Sequence, residues 1–168
     1  MKLSTSLRFS LVATFMAVML GGCGKNPFRP DYSLVPAPFD TSGAPRTVTS
    51  DGLIYYTIDP GHGPFQVVPN DATSGVQIQY TARKKDGKIL SSSYEKSNYG
   101  LPFVYALTVD LSNSRNVIYT EGFREGVLGM HLGEKRTLVV PPSLGYAGAG
   151  TSLDKDTLYY DVELISFQ

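Results

Sequence analysis

The stretch EGFREGVLGMHLGEKRTLVVPPSLGYAGAG, residues 121–150, combines a helical pattern, a strand pattern and a glycine-rich loop. Phe123, Val127 and Met130 have the spacing of one helix face, and Thr120 stands before them as a candidate N-cap. KRTLVV then has the composition of a β-strand, and the double proline that follows ends it. The stretch therefore predicts one short helix that leads into a sheet.

The rest of the chain after about residue 48 is typical of β-structure. Alternating or apolar runs occur in GLIYYTI (52–58), VQIQYTA (76–82), FVYAL (103–107) and TLYYDVELISF (157–167). Asp86-Gly87 is a hairpin turn pair. Since a single segment has helical spacing, we expect an α+β domain, an antiparallel sheet of five or six strands wrapped around one short helix. Gly126 and Gly129 are expected to let that helix approach the sheet closely.

The first 22 residues have the features of a signal peptide. Lys2 and Arg8 precede an apolar run over residues 9–20, which is too short to span a bilayer and fits a secretory leader. LGGC then resembles a bacterial lipobox, in which Cys23, the sole cysteine of the chain, is acylated. The alternatives are a plain signal peptide or an uncleaved anchor. We expect a lipid-anchored cell-envelope protein, on the periplasmic face of the outer membrane if the source is Gram-negative.

Residues 23–47 are expected to form the acylated cysteine and a proline-rich tether, followed by a folded domain over residues 48–168. Prolines stand at positions 27, 30, 36, 38 and 45, where they disfavour both helix and strand pairing. Because this segment is too short and proline-rich for a helical dimerisation arm, we expect a monomer.

Composition and motifs exclude several kinds of chemistry. With 15 basic and 15 acidic residues, the chain lacks the excess positive charge that nucleic-acid binding requires. His62 and His131 have no neighbours at metal-ligand spacing, no G-x-S-x-G motif occurs, and GYAGAG does not match a P-loop. We therefore expect neither a metal nor another cofactor.

Aromatic residues are the remaining candidates for a site. They come from the inward positions of several strands, the helix and the late loop: Tyr80, Phe103, Tyr105, Phe123, Tyr146 and Tyr160. Any one of them is explained by ordinary core packing. Together they would line a concave apolar pocket if the sheet curls around the helix.

Four segments, in this order, resemble the signature segments of FKBP-type peptidyl-prolyl cis-trans isomerases. They are YTARKKDGKILSSS (80–93), PFVYAL (102–107), residues 121–150 and TLYYDVELISF (157–167), and the resemblance covers about residues 50–168. It implies a half-barrel sheet around a short helix, and catalysis of rotation about the peptide bond before proline. That rotation has a barrier of about 18–20 kcal/mol, which an apolar pocket lowers when it fits the twisted amide better than the planar one.

The resemblance also implies roles for individual residues. Those assigned to the catalytic pocket are Tyr80, Phe103, Phe123 as the floor, Tyr146 as a hydroxyl donor, and Tyr160. Those assigned to substrate contact are Leu90, Ser91, Tyr105 and, for a backbone donor, either Ile118 or Thr120. Leu90 and Ser91 stand where the family commonly has phenylalanine and aspartate, and the loop after Tyr146 is shorter than the usual flap.

Three functions are compatible with these features. The first is a prolyl isomerase that assists the folding of envelope proteins and acts on proline-containing polypeptides. The second is a binding module of the same fold with weakened turnover, and the departures at Leu90 and Ser91 favour it. The third is a structural lipoprotein subunit of an envelope assembly.

Overall fold

The computed structural model describes residues 29–62, 75–112 and 117–167. The predicted signal peptide and Cys23 lie outside these residues. The described part has seven strands and one α-helix: β1 Arg46–Val48, β2 Ile54–Asp59, β3 Val76–Lys84, β4 Ile89–Ser92, β5 Phe103–Tyr105, α1 Glu121–Val127, β6 Lys135–Val140 and β7 Leu158–Phe167. In this part of the chain no helix is long and apolar enough to cross a bilayer.

All strand pairs are antiparallel, and the sheet has the order β1-β2-β6-β7-β3-β4, with β5 also paired to β3. The predicted α+β class, an antiparallel sheet with one short helix, is confirmed. The sheet has seven strands where the sequence predicts five or six. The difference arises because β1 and β5 have three residues each, too few to produce a pattern of alternation.

One face of the sheet carries the core. On β7, Leu158, Tyr160, Val162 and Leu164 are all fully buried, as their alternation predicts. The helix packs on this face through Gly122 and Gly126, whereas the sequence predicts Gly126 and Gly129. A Cβ at Gly126 would lie 2.5 Å from Leu138 Cδ1, and a Cβ at Gly122 would lie 2.5 Å from Val140 Cγ1.

Gly129 has a different role from the one that the sequence suggests. A Cβ there would meet no atom within 4 Å, but its φ is +70°, a conformation that favours glycine after a helix. The helix ends at Val127, so that Met130 is buried beyond its end. At the other end the predicted N-cap is present, since Thr120 Oγ1 accepts from the Phe123 N–H at 3.2 Å.

Arg136 of β6 satisfies the carbonyls at the helix C-terminus. Its guanidinium donates to the carbonyls of Gly126 at 2.9 Å, Leu128 at 3.2 Å and Gly129 at 3.3 Å. The Nε donates to the Glu134 carboxylate, and the group lies 4.6 Å from the centre of the Tyr55 ring. Helix α1 is therefore fixed to the sheet at both its glycine face and its C-terminus.

The described part of the proline-rich segment is attached to the domain by hydrogen bonds. We call residues 31–45 the strap, because they are hydrogen-bonded to the sheet and to the loop after β4. The bonds are Lys96 N to Asp31 O at 2.9 Å, Tyr32 OH to Leu90 O at 3.2 Å, Arg83 Nη2 to Pro36 O at 3.0 Å and Phe39 N to Asp161 Oδ2 at 3.3 Å. The folded unit thus includes much of the segment expected to be tether, and β1 begins at Arg46, before the expected boundary.

Candidate active site

A cluster of aromatic rings joins β3, β5, β7 and α1 around Phe123. The ring centre of Phe123 lies 4.9 Å from that of Tyr160, 5.3 Å from Tyr105 and 6.3 Å from Tyr80. Phe103 extends the cluster, with its ring 5.9 Å from Tyr80 in an edge-on arrangement. These spacings are those of favourable aromatic pairs. The strand residues of the cluster point inward, as the alternation in the sequence predicts.

Burial divides the candidate residues into a floor and a rim. Tyr105, Phe123, Tyr146 and Tyr160 have no exposed surface, and Tyr80 is 3% exposed. A separate group keeps partial exposure: Phe103, Leu90 and Ser91. A polypeptide that approaches the cluster therefore meets these three side chains first.

Three phenol groups have defined partners. The Tyr80 hydroxyl is 2.7 Å from Ser91 Oγ, so Ser91 is its hydrogen-bond partner at the rim. Tyr160 OH donates to the Val117 carbonyl at 2.7 Å and Tyr105 OH donates to the Thr108 carbonyl at 3.0 Å. The latter two bonds tie the segments that precede residue 113 and follow residue 116 to the cluster.

The cluster is electrically neutral at physiological pH. Burial raises the pKa of Tyr80 and that of Tyr146 to about 12, and it also raises the pKa of Tyr105 and Tyr160. All four phenols therefore keep their protons and act as hydrogen-bonding groups rather than anions. Within the described ranges, no three His, Cys, Asp or Glu side chains are grouped so that they would hold a metal ion.

Ile118 and Thr120, the two candidates for a backbone donor, are both fully buried. The side chain of Thr120 is used for the helix cap, which gives that residue a structural role. Sequence reasoning missed Tyr119, whose ring lies 5.7 Å from Tyr105, and Leu153 of the late loop, which is 5% exposed. Tyr119 stands in NVIYTEGF, a segment that aligns poorly with the family's signature. Its aromatic side chain was therefore the one signal in the sequence that could have identified it.

Comparison with known proteins identifies the family. The model of the FKBP-type peptidyl-prolyl cis-trans isomerase family matches residues 68–165. The chain belongs to this family. All the ring-cluster residues from β3, β5, α1 and β7 fall within the matched FKBP segment.

Two relatives support the assignment, and a further structure supports the fold. FK506-binding protein 2 of Dictyostelium discoideum is 41% identical over 93 residues, which are 54% of this chain and 62% of that protein. The crystal structure of FkpA from Escherichia coli has a TM-score of 0.57 and 30% identity, over 73% of this chain and 51% of that one. A peptidyl-prolyl cis-trans isomerase from Pseudomonas syringae pv. tomato shares the fold, with a TM-score of 0.54, 24% identity and coverage of 100% of this chain and 98% of that one. The chain spans 62% of that FK506-binding protein 2 and 51% of the FkpA chain.

Proposed function

We propose that this protein is a peptidyl-prolyl cis-trans isomerase that assists protein folding in the bacterial cell envelope, where acylated Cys23 anchors it to a membrane. Family membership supports the activity. The observation that carries the proposal is the neutral cluster of rings around Phe123, with a rim that a polypeptide can reach. The lipobox-like LGGC supports the location.

The proposed mechanism is non-covalent. The planar amide before proline owes its barrier of about 18–20 kcal/mol to resonance, and a twisted amide is less charge-separated than a planar one. A cleft that removes water from the amide carbonyl therefore favours the twisted form. Phe103 and Leu90 offer an apolar rim for the proline ring, and each 1.4 kcal/mol of preferential binding to the twisted form is worth about tenfold in rate.

Because the phenols around the cleft stay protonated, the rate should not follow an ionisation between about pH 6 and 9. Tyr80 and Tyr146, whose pKa values are raised to about 12, remain hydrogen-bonding groups across that range. A flat profile of rate against pH is expected, apart from effects on the substrate.

A second candidate is a binding module with slow turnover, and two observations favour it. Phe123 has no exposed surface, so a substrate reaches the floor only if the cleft opens. Ser91 contacts Tyr80 at the position where the family commonly carries an aspartate. The two candidates differ in one measurable respect, because a binding module would capture proline-containing peptides without speeding their isomerisation.

The test is the refolding of a substrate protein limited by proline isomerisation. Phe103→Ala is the informative variant, because Phe103 is half-buried at the rim. Phe123→Ala is unsuitable, since removal of a fully buried Phe costs about 3–5 kcal/mol and endangers folding. Tyr159→Ala is the matched control: Tyr159 is also half-buried, but it alternates with Tyr160 and so faces away from the cluster.

A further inference from the structure

Large apolar side chains lie exposed in the loop after β4 and on β5 itself. Tyr99 is 84% exposed, Leu101 60% and Val104 62%, and we call these three residues the 99–104 patch. Tyr99 also has a φ of +53°, which is uncommon for a residue with a side chain. Neighbouring exposed apolar groups of this kind often mark an interaction surface.

The loop that carries the patch is firmly held rather than loosely exposed. The Asn98 side-chain amide donates to the carbonyls of Ser93 at 2.9 Å and Leu101 at 2.8 Å. Gln79 Nε2 donates to the Gly100 carbonyl at 2.7 Å. The exposure of Tyr99 is therefore built into the fold.

The patch lies away from the aromatic cluster. On β5 the rings of Phe103 and Tyr105 point into the aromatic cluster, so Val104 between them points to the opposite face of the strand. Gln79, which holds the loop, lies between the buried residues Ile78 and Tyr80 of β3 and also faces outward. A proline segment bound at the cleft would leave Val104 uncovered.

The N-terminal end of the described chain lies beside this patch. Arg29, Pro30 and Asp31 share one surface groove with Lys96 and Tyr99, and Lys96 N donates to the Asp31 carbonyl at 2.9 Å. Cys23 is six residues before Arg29, and six residues span at most about 20 Å when fully extended. A lipid attached at Cys23 would thus hold this side of the domain within about 20 Å of a bilayer.

We propose that the 99–104 patch inserts into the interfacial region of the bilayer to which Cys23 is attached, as a second contact beside the acyl anchor. This rests on the lipid anchoring given under the proposed function. Tyrosine is enriched at membrane–water interfaces, and a lipid anchor binds stably when a second contact supports it. The cleft then faces away from the surface on which the patch rests.

Local charge indicates that apolar insertion, rather than attraction to anionic lipid, provides this contact. The basic side chains in the groove, Arg29 and Lys96, are matched there by the acidic Asp31 and Glu95, and Lys96 Nζ lies 3.7 Å from the Asp31 carboxylate. A neutral surface gains little from a negative membrane potential. Insertion should therefore depend weakly on the content of anionic lipid.

The chain contains no tryptophan, so a single introduced tryptophan reports its own surroundings. Tyr99→Trp is made in the full lipidated chain, which is reconstituted on phosphatidylcholine vesicles whose acyl chains are brominated. Val48→Trp is the matched control: Val48 is 51% exposed and lies on β1, at the opposite end of the strand order from β4. We expect bromine to quench Trp at 99 at least about twofold more than Trp at 48, since an inserted ring lies about 5–10 Å into the interface.

Three outcomes would overturn the proposal. Equal quenching at both positions shows that the anchor holds a domain whose patch stays in water. Quenching at position 99 that occurs only when phosphatidylglycerol is added shows attraction to anionic lipid instead of apolar insertion. Failure of both variants to sediment with vesicles shows that no lipid anchor exists. Isomerase activity of the same samples is measured in parallel, so that loss of the membrane contact is distinguished from failure of the proposed activity.

Discussion

Replacement of Arg136 by methionine tests how helix α1, and with it the floor of the cleft, is held on the sheet. Arg136 is 7% exposed and its partner Glu134 is 3% exposed. Methionine keeps much of the buried volume but removes the guanidinium that pairs with the Glu134 carboxylate and leaves the carbonyls of the helix end without their donor. Removal of one member of a buried ion pair costs about 3–5 kcal/mol, a large share of the roughly 5–15 kcal/mol that stabilises a typical domain.

Urea unfolding followed by circular dichroism measures this cost. With a slope of about 2 kcal/mol per molar, the expected loss lowers the midpoint by roughly 2 M. The matched variant combines Arg136→Met with Glu134→Gln. It removes the stranded charge while an amide oxygen can still accept from the His131 N–H, which is 2.7 Å from Glu134 Oε2 in the wild type.

The double variant should be more stable than Arg136→Met alone, because the uncompensated buried charge accounts for much of the loss. A loss below about 1 kcal/mol for Arg136→Met, the value of one ordinary hydrogen bond, would refute the reasoning. A double variant no more stable than the single one would refute it as well.

Three other predictions concern packing, pH and the strap. Gly126→Ala should lower the free energy of unfolding by up to about 2 kcal/mol, because a Cβ 2.5 Å from Leu138 Cδ1 causes overpacking of about 1–3 kcal/mol against a gain in helix propensity of about 1 kcal/mol; a variant more stable than the wild type in urea unfolding would contradict this. Burial raises the pKa of Tyr80 to about 12, so the unfolded chain ionises first as pH rises. The contribution of the protonated Tyr80 phenol to the free energy of unfolding is therefore present below pH 10 and lost between about pH 10 and 12. Tyr80→Phe should reduce this loss, as measured by urea unfolding at alkaline pH. Deletion of residues 31–44 removes the strap bonds and should lower the melting temperature measurably, whereas a passive tether would leave it unchanged.

The fold was open to prediction from sequence where the pattern is local. Alternation in TLYYDVELISF identifies the buried face of β7, because each inward residue follows from the strand period alone. The helix follows in the same way from the spacing of Phe123 and Val127 and from the cap at Thr120. The set of aromatic residues also follows from the strand and helix faces. The central place of Phe123 among them came from the resemblance to a family, since it depends on how distant strands pair.

The strap and the contacts of Arg136 were not predictable by local reasoning. Prolines in residues 31–45 are typical of a linker, and the partners that fix the segment are remote in sequence; Phe39 bonds to Asp161, 122 residues away. Arg136 belongs to an alternating strand. Its inward position in that strand does not indicate that its partners are the carbonyls at the end of the helix. Gly129 likewise differs from Gly126 in backbone conformation and in the atoms that a Cβ would meet, and composition reveals neither.

The central claim is that a neutral aromatic cleft speeds rotation about the bond before proline. The most direct measurement is the rate of proline-limited refolding of a substrate protein with catalytic amounts of wild type, Phe103→Ala and Tyr159→Ala, each shown to be folded by circular dichroism. Wild type and Tyr159→Ala should accelerate refolding equally, while Phe103→Ala should lose about tenfold, equivalent to about 1.4 kcal/mol of transition-state binding. The claim is contradicted if the folded wild type gives no acceleration, or if the two variants lose activity to the same extent.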